Sequence, residues 1–88
     1  MKFDWDAANT RHLARHDIIP EEAEQAVLID PLIADVQQQE AEERTLCFGR
    51  TESGRLLTVL YTERRGKIRI ITGYAMTKQQ QEIYFEGK

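Results

Sequence analysis

The N-terminal part of the chain has the apolar periodicity of two short α-helices. Apolar and aromatic residues recur at near-helical spacing from Asp6 to His16, which predicts a first helix capped by Asp4 or Asp6. A second helix is predicted to begin at Pro20, because proline suits the first helical turn. It should end at Asp30, because the residue before a proline is pushed out of the helical region.

Beyond residue 31 the pattern changes to that of β-strands. Four strands are predicted over residues 32–36, 44–51, 55–62 and 68–74, with turns at residues 52–54 and 63–67. The polar stretch 37–43 is expected to be a loop or a strand edge. On the last strand, side chains should alternate strictly between the two faces of the sheet. One face would carry Ile68, Ile70 and Thr72, and the other would carry Arg69, Ile71 and Gly73.

A third helix is predicted from Thr77 onward, where Thr77 and Gln80 match a capping box and Ile83 and Tyr84 would be buried. The complete pattern is two N-terminal helices, an antiparallel β-meander of about four strands and a C-terminal helix, which is an α+β fold. At 88 residues the chain has room for one domain, residues 1–88.

Composition excludes several classes of protein. Hydrophobic residues make up 41% of the chain and charged residues 31%, an ordinary globular balance that argues against disorder. Apolar runs are too short to span a bilayer, and the N-terminus has no apolar signal segment, so we expect a cytoplasmic protein that makes no contact with membranes. A single cysteine, Cys47, cannot form an internal disulfide and is expected to be a small buried residue.

The net charge of −3 conceals an asymmetry along the chain. Residues 17–43 contain nine acidic residues and no lysine or arginine, whereas residues 44–78 contain eight basic and two acidic residues. The second half could therefore form a phosphate-binding face. Alternatively, its arginines pair with the acidic helix of the first half, or are simply solvated.

Two histidines, His12 and His16, lie four residues apart and would share one face of the first helix. Such a pair could bind a metal with Asp17 or Glu21, act as a general base or phosphate donor, or consist of one packed and one exposed side chain. A zinc-peptidase motif is excluded, because Leu13 stands where that motif requires glutamate. No cofactor is expected.

A second candidate cluster is basic. Arg64 and Arg65 lie in a predicted turn, and Arg69 and Tyr74 lie on the strand that follows. Guanidinium groups bind phosphate in a bidentate manner, and a tyrosine can stack on an unpaired base. Two arginines of the predicted strand 44–51, Arg44 and Arg50, could lie on the same face as this cluster.

The sequence resembles the BrnT-like toxins along nearly its whole length. The resemblance rests on short segments in the family's order: Trp5-Asp6, Arg15-His16, Glu21-Glu22-Ala23, Asp30-Pro31, Glu43-Arg44, Gly49-Arg50-Thr51, Gly54-Arg55-Leu56-Leu57, Arg69-Ile70-Ile71-Thr72, Ala75-Met76-Thr77 and Tyr84. BrnT-like proteins are toxins of type II toxin–antitoxin pairs, with a fold similar to that of the RelE ribonucleases.

The resemblance implies a metal-free ribonuclease that cleaves mRNA and blocks translation. A cognate antitoxin, similar to BrnA, would neutralise it and would supply all DNA binding by the complex; the sequence leaves a homo-oligomer open. The implied catalytic residues are His16 as the base, Arg64 and Arg69 as phosphate contacts, and Tyr74. The implied RNA-binding residues are His12, Arg44, Arg50, Arg65 and Lys78.

The chain departs from the family pattern at three places. Gly73-Tyr74 stands where many members have alanine and arginine, Asp17 replaces a glycine, and a lysine that often follows the tryptophan has no counterpart here. Loss of that arginine would remove charge stabilisation from the transition state. The alternative function is therefore a catalytically inactive module of the same fold, which acts through protein or RNA contacts.

Overall fold

The computed structural model describes residues 1–87 and confirms the α+β fold, with all seven predicted elements in the predicted order. The elements are α1 (Ala7–Ala14), α2 (Pro20–Leu28), β1 (Leu32–Gln39), β2 (Glu42–Arg50), β3 (Leu56–Arg64), β4 (Lys67–Ala75) and α3 (Lys78–Glu86). The strands form one antiparallel sheet in the order β1-β2-β3-β4. None of the helices in this part of the chain is long and apolar enough to cross a membrane.

Strand β1 is longer than the sequence predicts. It continues through the three glutamines to Gln39, which pairs with Glu42, so residues 37–39 form part of a strand edge, the second of the two predicted alternatives, and only Glu40 and Ala41 form a turn. Glutamine has little preference for strands, but β1 is an edge strand whose side chains are almost all exposed. Polar residues therefore cost little there, and the pairing with β2 decides the conformation.

Helix α1 begins and ends with specific hydrogen bonds. Asp6 caps it, because its Oδ1 accepts from the backbone N–H groups of Ala8 and Asn9 at 2.9 and 3.1 Å. At the other end, Ile18 N donates to Leu13 O and Asp17 N donates to Ala14 O. This pair of hydrogen bonds is the pattern of a Schellman motif. Asp17 has φ = +60°, the left-handed conformation that a glycine adopts without strain.

Helices α1 and α2 pack on one face of the sheet, where their buried residues meet those of β3 and β4: Leu13, Ile18, Ala23, Ala26, Val27, Leu57, Val59, Ile68 and Ile70. Cys47 is fully buried on this face, as expected, with its Sγ 3.9 Å from Ala26 O. Helix α2 lies so close to β2 that a β-carbon at Gly49 would be only 1.9 Å from Ala26 O. Position 49 therefore has room only for glycine.

Helix α3 covers part of the opposite face through Tyr84, which packs with Phe48 and Met76. The predicted capping box is confirmed, since Thr77 Oγ1 accepts from Gln80 N at 3.1 Å. The prediction that Ile83 is buried is wrong, because its side chain is 45% exposed. Tyr84 is the buried residue of this helix, with its hydroxyl donating to a backbone carbonyl at 2.8 Å, and Gln80 Oε1 adds a contact with the sheet by accepting from Thr58 Oγ1 at 2.8 Å.

A β-bulge in β4 corrects the predicted alternation. Tyr61 pairs with Ile70, but Leu60 pairs with Thr72, so Ile71 is an extra residue on this strand. The bulge reverses the two faces beyond it. Gly73, not Thr72, is therefore buried against the helices, and Thr72 is turned toward the other face, as is its partner Leu60.

Candidate active site

The end of the sheet that α3 does not cover has a row of basic side chains. Thr62 pairs with Arg44 on one side and with Arg69 on the other, so both arginines lie on the same face as this threonine. Arg64 follows two residues later on β3 and therefore projects from the same face. Arginines that are separated in sequence by up to 25 positions are thus brought together by the register of three strands.

Glu42, which the sequence analysis did not single out, holds two of these arginines. Its Oε2 lies 3.0 Å from Arg44 Nε, and its Oε1 lies 2.8 Å from an amino nitrogen of Arg64. Hydrogen bonds from Arg64 and then Arg44 lower the pKa of the Glu42 carboxyl below its ordinary value. The carboxylate therefore stays ionised and fixes the direction of both guanidinium groups.

The sequence contained a signal for Glu42. It lies two residues before Arg44, a spacing that places both side chains on one face of a strand. The predicted strand began only at Arg44, however, and this left Glu42 in the expected loop.

The N-terminal segment holds the third arginine. A parallel bridge joins Phe3 to Ile68, and Asp4 N donates to Ile68 O at 2.8 Å. This places Asp4 Oδ2 and Asp6 Oδ2 at 3.5 and 3.0 Å from the amino nitrogens of Arg69, whose side chain is 16% exposed. The backbone N–H of Asn9 and the Arg69 guanidinium lower the pKa of Asp6, with the amide contributing most.

His12 projects from α1 toward the edge strand β4. Its Nε2 is hydrogen-bonded to Thr72 Oγ1 at 2.8 Å, which joins α1 to β4 immediately beyond the bulge. The ring of His16 lies one helical turn further on, with its centroid 5.8 Å from that of His12. His12 is half-buried and His16 is exposed, which agrees with the packed-and-exposed alternative.

Together these groups surround a depression of about 280 Å³ between α1 and the sheet. Its lining brings together one histidine, three arginines and small or apolar neighbours: Ala8, Asn9, His12, Arg44, Arg64, Arg69, Ile70 and Ile71. An adjoining depression of about 420 Å³ shares Arg64 and Arg69 and adds Arg65 and Lys67. Within residues 1–87, neither Arg65 nor Lys67 lies within 4 Å of a carboxylate oxygen.

Besides His16, which lines neither depression, three of the residues expected from the sequence lie outside this cluster. Tyr74 is on the same face but further along β4, and its hydroxyl accepts a hydrogen bond from Gln80 Nε2 at 3.2 Å. Arg50 is at the opposite end of β2 from Arg44, about 20 Å away at the usual rise per residue. Lys78 begins α3 and lies beside Phe85.

The arrangement can bind an anion and move a proton. Three guanidinium groups around one depression suit a phosphate group, and the imidazole at its edge is a group that can accept or donate a proton. No group of three or more histidine, cysteine, aspartate or glutamate side chains among residues 1–87 could hold a metal ion.

The fold and the depression define a class: a small α+β domain with a basic site suited to phosphate. The chain can be assigned more closely, because residues 5–80 match the model of a family described as "Ribonuclease toxin, BrnT, of type II toxin-antitoxin system". The protein belongs to this family, and its membership implies an antitoxin partner. A search of curated proteins gave no match.

Proposed function

We propose that this protein is a toxin that cleaves mRNA without a metal ion and thereby inhibits translation. The observation that carries the proposal is the convergence of Arg44, Arg64, Arg69 and His12 around one depression, in a member of a ribonuclease toxin family. The position of the depression on an open part of the sheet supports access by a single-stranded RNA backbone.

In the proposed reaction the 2′-oxygen of RNA attacks the adjacent phosphorus, so that a P–O2′ bond forms and the P–O5′ bond breaks. One histidine accepts the 2′-hydroxyl proton, and the leaving 5′-oxygen takes a proton from a second group. The products are a cyclic phosphate and a free 5′-hydroxyl. The arginines stabilise the additional negative charge on the pentacoordinate phosphate.

The geometry favours His12 as the histidine nearest the reacting phosphate, with His16 as its partner. His12 lines the depression and has one ring nitrogen fixed by Thr72. His16 lies close enough to serve as the second proton carrier or as an electrostatic neighbour. This exchanges the roles that the family resemblance implied for the two histidines.

The remaining basic groups have secondary roles in the proposal. Arg65 and Lys67 would guide the RNA backbone toward the depression, and Tyr74, which lies outside the depression, would stack on a base further along the RNA. In the bacterial cytoplasm, a BrnA-like antitoxin would neutralise the toxin by covering the basic face with an acidic segment, and it would supply DNA binding to the complex.

Expression of the chain alone in a bacterium tests the proposal, with growth and RNA integrity as readouts. We expect arrest and RNA breakdown, and loss of both in Arg64→Ala and His12→Ala, because removal of such groups lowers turnover by about 10²–10³-fold. His16→Ala should have a smaller effect than His12→Ala. Arg50→Ala, which removes the same charge outside the depression, should retain toxicity.

Two results would contradict the proposal. Arrest that persists in both Arg64→Ala and His12→Ala would refute the assigned site. Normal growth with a folded wild-type protein would favour the inactive binding module, and Tyr74, which stands where the family pattern has arginine, would then mark the position at which activity was lost.

A further inference from the structure

Asp6 makes contacts with two different elements through its two carboxylate oxygens. Oδ1 caps α1 by accepting from the N–H groups of Ala8 and Asn9, and Oδ2 lies 3.0 Å from an Arg69 amino nitrogen on β4. A single side chain therefore joins the helix that carries His12 to the strand that carries Arg69.

Asn9 strengthens the same connection. Its Oδ1 accepts from Asp6 N at 2.9 Å, and its Nδ2 donates to Asp4 O at 2.9 Å and to Ile70 O at 3.3 Å. Asn9 is 4% exposed, so the first turn of α1 is fixed directly to β4. Because an α-helix is rigid over two turns, fixing its first turn also fixes the position of His12.

We infer that Asp6 is a positioning residue of the proposed site, which holds Arg69 and the helix of His12 at the separation that one phosphate requires. This inference rests on the proposed function. Asp6 touches neither the RNA nor the reacting atoms in this account, and it acts through the two groups it joins.

The negative charge of Asp6 should affect RNA binding and RNA cleavage differently. A carboxylate beside Arg69 lowers the positive potential of the site, so it should weaken RNA binding while it improves the geometry of cleavage. Removing its charge should therefore lower turnover without lowering affinity. A merely structural residue would lower both together.

Asp6→Asn separates the two roles, because asparagine caps a helix as well as aspartate does but carries no charge to hold Arg69. The measurements are the affinity for an RNA oligonucleotide with 2′-O-methyl groups, which cannot be cleaved, and the single-turnover cleavage rate of the unmodified RNA. We expect unchanged or tighter binding and a cleavage rate that falls by about 10- to 100-fold, since small displacements of reacting groups cost about that much.

Two further variants control the experiment. Asp6→Ser keeps a capping oxygen on a shorter side chain and should reproduce the effect of Asp6→Asn on cleavage. Glu22→Gln removes a carboxylate from an arginine pair of the same 3.0 Å length, formed with Arg55 outside the depression. Glu22→Gln should leave both affinity and cleavage unchanged.

The outcomes distinguish this inference from the proposed function. Cleavage that rises together with affinity in Asp6→Asn would make Asp6 an inhibitor of the site and overturn the inference. An unchanged cleavage rate, or a loss no larger than the loss of folded protein seen by circular dichroism, would also overturn it. A folded wild-type protein that does not cleave RNA would refute the proposed function itself, and the inference with it.

Discussion

The salt dependence of RNA binding gives the most quantitative test of the basic face. Binding of a polyanion releases counterions, so the logarithm of the affinity falls linearly with the logarithm of the salt concentration. The groups that set this slope are five cations and three carboxylates: Arg44, Arg64, Arg65, Lys67 and Arg69, with Asp4, Asp6 and Glu42.

The structure brackets the magnitude. If all five cations contact phosphates and the carboxylates are released, the slope is about −3.5, at about −0.7 per contact with single-stranded nucleic acid. If the three carboxylates stay paired, two net charges remain and the slope is about −1.4. An increase from about 50 to 200 mM salt should then weaken binding by between about 7-fold and 130-fold.

Single substitutions refine the test. Arg64→Ala should make the slope shallower by about 0.7, and Glu42→Gln should make it steeper because it frees charge on two arginines. Arg50→Ala removes an equal charge about 20 Å from Arg44 and should change the slope by less than half as much. Fluorescence anisotropy with a labelled 2′-O-methyl RNA oligonucleotide measures each slope.

A slope near zero would refute the interpretation of this face as a phosphate-binding surface. An effect of Arg50→Ala as large as that of Arg64→Ala would show that charge, and not the depression, determines binding. Either result would remove the main support for the assigned site.

Three further predictions concern stability. Gly49→Ala should lower the free energy of unfolding by about 3 kcal/mol or more in urea titrations, because its β-carbon would collide with the backbone of α2. Gly73→Ala should cost less, because its β-carbon would come no closer than 3.2 Å to a methyl group of Leu13 and 3.4 Å to Thr58 O; equal costs would contradict this packing. Asp6 and Glu42 have lowered pKa values in the folded protein, so their contribution to the free energy of unfolding is present above the unfolded-state pKa values near 4 and is lost as the pH falls through the lower folded-state values. Stability should therefore decrease below about pH 4, and it should decrease less in Asp6→Asn. An identical acid response in that variant would contradict this prediction. Asp17→Gly should raise the free energy of unfolding by about 0.5 kcal/mol by relieving the left-handed backbone conformation, and a loss of stability would refute this.

The sequence predicted the fold well because its elements follow local rules. Hydrophobic periodicity, Pro20 and the capping box at Thr77 each depend on neighbouring residues only, and each element was found in its place. The extension of β1 through Gln39 could not be predicted in this way, because it depends on pairing with β2 and not on the preference of glutamine.

The site was less predictable because it depends on register and on a bulge. The sequence identified the arginines and both histidines as candidates, but not which of them meet. Thr72, which is bonded to His12, follows the extra residue Ile71 in β4, so it lies on the face opposite to the one that strict alternation predicted. The carboxylates that hold the arginines come from the N-terminal segment and from the start of β2, which local patterns do not connect with β4.

The departure from the family pattern at residues 73 and 74 separates into a packing effect and a functional one. A β-carbon at Gly73 would lie 3.2 Å from a methyl group of Leu13, so the core permits only a very small residue there. Tyr74 is less constrained by the core, since it is half-buried on the face that α3 partly covers, and its hydroxyl accepts a hydrogen bond from Gln80 Nε2. An arginine at position 74 would have lain further along β4 from Arg69, beyond the histidine contact at Thr72. The three arginines that line the depression are placed by residues other than Tyr74, so we propose that they supply the charge stabilisation of the reaction with tyrosine at position 74.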